Sequence, residues 1–241
     1  MENNMKKLGI IGGLGPMATI YFMELIVKMT KAKTDREHIP MIIYNYPDTP
    51  DRTEYLLDNT KPNPLNAILD MGINLKKQGA DYVAMPCITA HYFGKEITEC
   101  VGEGFINMIE ETAKHLKNKG VDRIGLMATD GTVNSRVFEK VLNEYGIDVI
   151  VPSKEKQSMV MDIIYNQVKA GKEVNIDELY SVKSELKAKG AKLFILGCTE
   201  LSVVKGNYPL DGEFLDVLEI LAKSSIELCG AVVNEKYDYL S

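Results

Sequence analysis

Two stretches of the chain repeat one another: LKKQGADYVAMPC at residues 75–87 and LKAKGAKLFILGC at residues 186–198. Leucine, lysine, glycine, alanine and cysteine recur in them at one constant offset of 111 residues. In both stretches a glycine ends an amphipathic run and an apolar run follows, as at a helix that leads into a buried strand. Any two α/β units share these features by chance of fold class alone. The fold class does not explain why a cysteine follows the strand in both stretches. The repeat therefore predicts two homologous halves, with Cys87 and Cys198 at equivalent strand ends.

Apolar and amphipathic runs alternate along the chain in the same manner. The apolar runs predict buried strands at residues 7–11, 41–45, 82–85, 123–127, 149–151 and 193–196. The amphipathic runs predict helices at residues 17–31, 64–78, 132–145, 157–170 and 176–189. This alternation predicts an α/β fold of two similar lobes with mostly parallel sheets, related by a pseudo-twofold axis, with the active site in the cleft between them. We expect lobes at residues 1–116 and 117–207, with residues 208–241 packing back on the first lobe.

The composition limits the class of protein. Of the 241 residues 45% are apolar and 26% charged, with a formal net charge of −6, so we expect neither nucleic acid nor a membrane surface as a partner. No apolar run approaches the ~18 residues of a membrane span, and the amino terminus lacks the order of a secretory signal. We therefore expect a cytoplasmic protein whose four cysteines are reduced. The cysteines form no CxxC pair and the three histidines no zinc-ligand spacing, so we expect no metal site.

The positions of Cys87 and Cys198 indicate a reaction. Parallel sheets bind ligands beyond the carboxyl ends of their strands, so two facing lobes bring the sulfurs to a shared cleft from opposite sides. Racemisation at Cα needs this arrangement, because a base removes the proton from one face while an acid protonates the other. A helix N-terminus lowers the pKa of a thiol, so that one sulfur is a thiolate while the other stays protonated. Thr89 and Thr199, with backbone N–H groups at the helix starts, are candidate donors to the substrate carboxylate. Cys100 and Cys229, which lack matched positions, are interpreted as packing residues.

Four short motifs extend this interpretation. They are GGLGPMAT at residues 12–19, PDRT at 50–53, PCITAH at 86–91 and GCTEL at 197–201. Through them residues 5–230 resemble the aspartate/glutamate racemase family, and in particular its aspartate racemase branch. The resemblance implies racemisation without pyridoxal phosphate, metal or any other cofactor, with Cys87 and Cys198 as the acid and base. It also implies an amino-acid substrate and a homodimer.

The resemblance further implies a set of substrate-binding residues. Arg52, followed by Thr53, binds the substrate carboxylate through its fork of donors. Thr132, in a loop similar to the family's ATxGT, binds carboxylate with its hydroxyl and N–H, and Lys169 faces the cleft. Glu200 favours the aspartate branch, because the glutamate racemase branch usually carries histidine there. Without the resemblance, the sequence favours Arg52 as a surface cap in the Pro-Asp turn, and Lys169 as a helix-end lysine that complements the helix dipole.

Ile88 departs from the family pattern, which has asparagine beside the first cysteine. Isoleucine offers none of the donors and acceptors of an amide. The expected reaction is therefore racemisation of aspartate, or of aspartate and glutamate, with a different or broader range of amino acids as the alternative.

Three other functions fit parts of the sequence. Gly13 and Gly15 after the first strand match a dinucleotide-binding pattern, although no acidic residue ends the second strand to hold a ribose. A hydrolase with Cys87 as nucleophile and His91 as base, or a related one-cysteine decarboxylase or isomerase, needs no second cysteine. A two-lobed binding protein would use the same cleft without catalysis.

Overall fold

Two four-stranded sheets, in which every pair of neighbouring strands is parallel, form the frame of the protein. The computed structural model describes residues 5–240. Its strands are β1 (Leu8–Gly12), β2 (Met41–Asn45), β3 (Tyr82–Ala84), β4 (Phe105–Ile106), β5 (Arg123–Ala128), β6 (Asp148–Ile150), β7 (Leu193–Gly197) and β8 (Phe214–Asp216). The first sheet has the order β2-β1-β3-β4 and the second the order β6-β5-β7-β8. The prediction of two similar α/β lobes is confirmed by this repeated order.

Helices connect the strands and cover both faces of each sheet. The α-helices are α1 (Pro16–Met29), α2 (Arg52–Leu57), α3 (Leu65–Lys77), α4 (Gly94–Val101), α5 (Met108–Asn118), α6 (Asp130–Ser135), α7 (Val137–Glu144), α8 (Lys154–Asp162), α9 (Ile176–Ala188), α10 (Thr199–Asn207) and α11 (Val217–Leu228). Short 3₁₀ helices lie at Asp35–Glu37, Thr89–Phe93 and Glu235–Leu240, and a π-helix lies at Ile163–Val168. Within residues 5–240 no helix combines the length and the apolar character needed to cross a membrane.

The repeated leucine of each half packs against a glycine of a neighbouring strand. Leu75 on α3 packs against β1 at Gly9, where a Cβ atom would lie 3.1 Å from the leucine Cβ. Leu186 on α9 packs in the same way against Gly125 of β5, at 3.0 Å. These glycines let a helix lie close to the central strand of each sheet, and substitution with a larger residue would push the helix away.

The last helix of each half packs on the other half. Helix α5 contacts α7 of the second lobe, α11 contacts α1 of the first lobe, and α5 and α11 contact each other. One buried apolar cluster accordingly includes Phe22 of α1, Leu126 of β5, Phe138 of α7 and Leu221 of α11. Two further clusters lie under the outer helices of the first and second sheets. The lobes therefore share a core.

This packing refines the proposed lobe boundaries. Strand β8 pairs with β7, so it extends the second sheet, whereas α11 packs on α1. The expectation that all of residues 208–241 pack on the first lobe is therefore corrected for β8. Its apolar Phe214 and Leu215 pair in register with Phe194 and Ile195 of β7.

Candidate active site

A small cavity lies between the lobes, at the carboxyl ends of strands from both sheets. Its volume is about 20 Å³. It is lined by Leu14, Asp51, Arg52, Thr53, Cys87, Ile88, Thr89, Thr129, Tyr165, Lys169, Cys198, Thr199 and Glu200. Of the site residues predicted from sequence, all except Thr132 thus line one cavity. We refer to it as the inner cavity.

The backbone at Cys87 is held by a buried histidine. His91 donates a hydrogen bond from Nδ1 to the Cys87 carbonyl at 2.9 Å, and its Nε2 accepts one from the Met108 N–H at 3.2 Å. Burial lowers the pKa of His91 to about 4, so the ring is neutral at physiological pH. Because both ring nitrogens are occupied, His91 positions the chain after β3 and is not free to act as a base toward Cys87.

Arg52 connects two loop segments beside Cys87. Its Nη1 donates to the carbonyls of Thr49 (3.3 Å) and Pro50 (3.0 Å), and its Nη2 donates to the Leu14 carbonyl at 2.8 Å. Burial lowers the pKa of Arg52, but Cys87 and the Asp51 carboxylate raise it by more, so the net shift is upward. Its Nε is buried without a hydrogen-bond partner in residues 5–240. Arg52 is thus a buried cation next to a thiol.

Cys198 has a different electrostatic environment. It directly precedes α10, and its Sγ–H donates to Glu200 Oε2 at 2.9 Å, while the Thr199 hydroxyl donates to the same oxygen at 3.3 Å. Burial raises the pKa of Cys198 well above its ordinary value, and the charge and hydrogen bond of Glu200 raise it further. Cys198 is therefore protonated at neutral pH.

A π-helical turn carries Tyr165 and Lys169 to the cavity. The Lys169 N–H bonds the Ile164 carbonyl at 3.0 Å, five residues back, as in a π-turn. The Lys169 ammonium lies over the Tyr165 ring, 4.1 Å from its centre, and 4.0 Å from Glu200 Oε1. Burial lowers the pKa of Lys169, but the Glu200 charge raises it by more.

Four threonine hydroxyls join the lobes behind the cavity. Thr89 Oγ1 lies 3.3 Å from Thr129 Oγ1 and 3.0 Å from Thr132 Oγ1, and Thr53 donates to Thr129 at 3.5 Å. The Thr132 N–H donates to Thr129 Oγ1, the cap of α6, so neither its N–H nor its buried hydroxyl faces the cavity. Thr129, which was not predicted, lines the cavity instead.

Four lining residues were missed by the sequence analysis. Leu14, Asp51 and Thr129 stand inside motifs already recognised in the sequence, and those motifs were the signal that could have found them. Tyr165 had no such signal, because it reaches the cavity from the π-turn. No group of three or more histidine, cysteine, aspartate or glutamate residues within the described part of the chain could hold a metal ion.

The space around the glycine-rich turn, where a dinucleotide would bind, is filled by other atoms of the protein. The Gly13 N–H donates to Thr19 Oγ1 at 2.9 Å, and a Cβ on Gly13 would lie 2.3 Å from the Tyr46 nitrogen. At Gly15 a Cβ would lie 3.5 Å from Glu200 Oε1. A carboxylate close to this turn repels a pyrophosphate, which disfavours dinucleotide binding.

A family model, a curated relative and solved structures that are similar to this chain all carry the name of a racemase. The family model described as Asp/Glu/hydantoin racemase matches residues 11–223. The broad specificity amino-acid racemase RacX of Bacillus subtilis is 27% identical over 224 residues, which are 91% of this chain and 96% of RacX. The structure of Picrophilus torridus aspartate racemase has a TM-score of 0.82 at 32% identity. The match covers 98% of this chain and 99% of the Picrophilus chain. A putative Asp/Glu racemase from Yersinia pestis, at 24% identity, has the same fold with a TM-score of 0.80, over 93% of this chain and 99% of its own.

Proposed function

Because this chain belongs to the Asp/Glu/hydantoin racemase family, we propose that it inverts Cα of a free amino acid with Cys87 and Cys198 as the acid–base pair and without a cofactor. The supporting observation is that the two thiols line one cavity from different lobes, with opposite charges beside them. A homodimer, expected from the family resemblance, belongs to the same proposal.

The neighbours of the thiols support one proposal for their roles in one direction of the reaction. In this proposal Cys87 removes the Cα proton, because the guanidinium of Arg52 beside it favours the negatively charged form of a sulfur base. Cys198, whose proton is held by Glu200, delivers that proton to the opposite face. The carboxylate of the resulting carbanion is stabilised by hydroxyls at the cavity and by the N–H groups that begin α10. The reverse reaction starts from the state in which the two sulfurs have exchanged protonation.

Substrate entry requires the cleft to open. A cavity of about 20 Å³ has room for about one water molecule, which is far less than an amino acid needs. We therefore propose that the lobes separate at the cavity, admit the zwitterion and close over it, which excludes water from the carbanion.

The proposal is tested by hydrogen exchange at Cα. The protein is incubated in D₂O with each L-amino acid in turn, without added cofactor. We expect the NMR signal of the Cα proton to disappear for at least one amino acid while its circular dichroism decays to zero. Exchange in no amino acid would reject the proposed function. Release of a hydrolysis product in place of inversion would favour the one-cysteine hydrolase.

Glu200→Gln is expected to move the pH dependence of racemisation. An amide carries no charge, so the pKa of Cys198, which burial and Glu200 raise, falls. Because the thiol must stay protonated, activity is lost as pH rises through that pKa, and the loss begins at lower pH in the variant. We also expect a decrease of roughly tenfold in kcat/KM at neutral pH, less than the roughly 10²–10⁴-fold of a whole acid–base group, because the thiol itself remains.

The measurement is kcat/KM between about pH 6 and 11, the range that brackets ordinary thiol pKa values. Glu99→Gln on α4, whose carboxylate is exposed to solvent, is the matched control and leaves the profile unchanged. An alkaline limb that stays in place or moves to higher pH in Glu200→Gln would contradict the role given to this carboxylate.

A further inference from the structure

We infer that Ser202 and Asp216 hold Cys198 in position for the reaction, as His91 holds Cys87 in the other half. Neither Ser202 nor Asp216 lines the inner cavity, so each is a positioning residue that acts through α10. This inference rests on the proposed function, because it takes Cys198 as one of the two reacting thiols. It is carried by a second repeat between the halves, by buried hydrogen bonds between α10 and α11, and by an ion pair between the same two helices.

A second pair of repeated stretches follows the two cysteines along the chain. FINMIE at residues 105–110 corresponds to FLDVLE at residues 214–219, at an offset of 109 residues. Each stretch contains the last strand of its half and the start of the helix after it, β4 and α5 or β8 and α11. The second residue of each stretch pairs with the residue three positions before Cys87 or Cys198. Each strand-to-helix junction therefore lies beside one of the two cysteines, at equivalent places.

In the first half, His91 connects the cysteine to the helix after the last strand. It lies four residues after Cys87, donates to the Cys87 carbonyl and accepts the Met108 N–H. Met108 is the first residue of α5. One buried side chain thus bridges the end of β3 and the start of α5. The equivalent position in the second half, four residues after Cys198, is Ser202.

Ser202 makes the corresponding connection through Asp216. The Ser202 N–H donates to the Cys198 carbonyl at 3.3 Å, and the Ser202 hydroxyl donates to Asp216 Oδ1 at 2.6 Å. The same carboxylate oxygen accepts the Leu218 N–H at 2.8 Å as the N-cap of α11. Serine is shorter than histidine, and the capping carboxyl group completes the bridge. Both side chains are fully buried, so water does not compete for this bond.

An ion pair joins the same two helices three residues further along α10. Lys205 donates from Nζ to Glu219 Oε2 at 2.8 Å, and the Tyr239 hydroxyl donates to the same oxygen at 3.0 Å. Helix α11 in turn packs on α1 and α5. These contacts fix the helix that follows Cys198 to the core that the two lobes share.

Asp216 acts through its hydrogen bonds and not through its charge. Its Oδ2 is buried without a hydrogen-bond partner in residues 5–240. Burial raises the pKa of Asp216, and the charge of Glu219 raises it further, so both disfavour the ionised form. At the equivalent place in the first half the N-cap of α5 is Asn107, whose amide oxygen accepts two backbone N–H groups. We therefore expect an amide to replace the carboxyl group of Asp216.

The test compares kcat and KM for the L-amino acid that exchanges its Cα proton fastest in D₂O. Ser202→Ala is expected to lower kcat at least about tenfold, because a small displacement of a reacting group is costly. KM should change little, since Arg52 and the threonines of the first lobe are untouched. Asp216→Ala should have the same effect. Asp216→Asn, which keeps the oxygen that accepts both hydrogen bonds, should keep kcat close to that of the unmodified protein.

Ser225→Ala is the matched control. Ser225 is as fully buried as Ser202, but its hydroxyl donates to the Leu221 carbonyl within α11. This variant should lower the unfolding temperature about as much as Ser202→Ala does and leave kcat unchanged. Hydrogen exchange followed by mass spectrometry should show faster exchange of the amides at residues 199–204 in Ser202→Ala but not in Ser225→Ala.

Equal kcat values for Ser202→Ala and Ser225→Ala, in a protein that racemises normally without either change, would overturn the inference and leave the proposed function intact. A kcat for Asp216→Asn as low as that for Asp216→Ala would also overturn it, because the hydrogen bonds would then not be what matters. If no amino acid exchanged its Cα proton with the unmodified protein, the proposed function and the inference would both fail.

Discussion

The Cys198→Ser protein is expected to racemise its substrate at about a thousandth of the normal rate or less, because a hydroxyl replaces the proton donor. Cys87→Ser is expected to lose as much, since serine supplies no thiolate to remove the Cα proton. Each direction of the reaction uses both sulfurs, so the loss should be equal for the two enantiomers. The measurement is racemisation of either enantiomer followed by circular dichroism.

Cys100→Ser is the control for these variants. Cys100 is half-buried on α4 outside the inner cavity, and its thiol makes only a weak contact of 4.0 Å with the Leu69 carbonyl. This variant should racemise normally and unfold at the same temperature as the unmodified protein. A Cys198→Ser protein with full activity would refute the two-thiol mechanism and favour a reaction that uses Cys87 alone.

Replacement of Arg52 by lysine is expected to reduce kcat/KM about a hundredfold. Lysine keeps the positive charge but lacks the planar fork, so it cannot hold the Leu14, Thr49 and Pro50 carbonyls while facing Cys87. The Cys87 sulfur then loses the guanidinium that is fixed beside it, and the loop that carries Arg52 loses its anchor. Alkylation of Cys87 by iodoacetamide, followed by mass spectrometry in a Cys198→Ser background, should slow in parallel.

Arg123→Lys provides the comparison. Arg123 pairs with Asp148 at the amino ends of β5 and β6, the ends opposite the inner cavity, and its replacement should change neither rate. Normal kcat/KM and normal Cys87 alkylation in Arg52→Lys would show that the guanidinium does not support the thiolate.

Much of the fold follows from the sequence because the decisive signals are local. Strand β2 has the predicted bounds, and the matched helix–glycine–strand blocks are the equivalent parts of two sheets with one strand order. Strand β4 was missed, since two residues carry no periodicity. The helix predicted at residues 132–145 is broken at Arg136, which has a φ of 55°. The amphipathic pattern continues across that break and so conceals it.

The site was less predictable in its details. Motifs identified the segments that meet at the cavity, but they do not determine which hydroxyl of a loop faces inward. Thr129 lines the cavity, whereas the hydroxyl of Thr132, three residues further on, is hydrogen-bonded to the Thr129 hydroxyl and does not line the cavity. The π-turn likewise inserts an extra residue into a helical repeat, which rotates Tyr165 and Lys169 relative to a regular α-helix. Such a shift depends on tertiary packing and has no local sequence signal.

The exchange of α5 and α11 between the halves bears on the origin of the enzyme. A single ancestral half would expose the apolar surface that its partner's last helix now covers, and two copies would satisfy each other as a symmetric pair. In such an ancestor the two thiols would have had identical surroundings by symmetry. Within one chain the two halves are free of that constraint, and each sulfur has its own companion, a guanidinium for Cys87 and a carboxylate for Cys198.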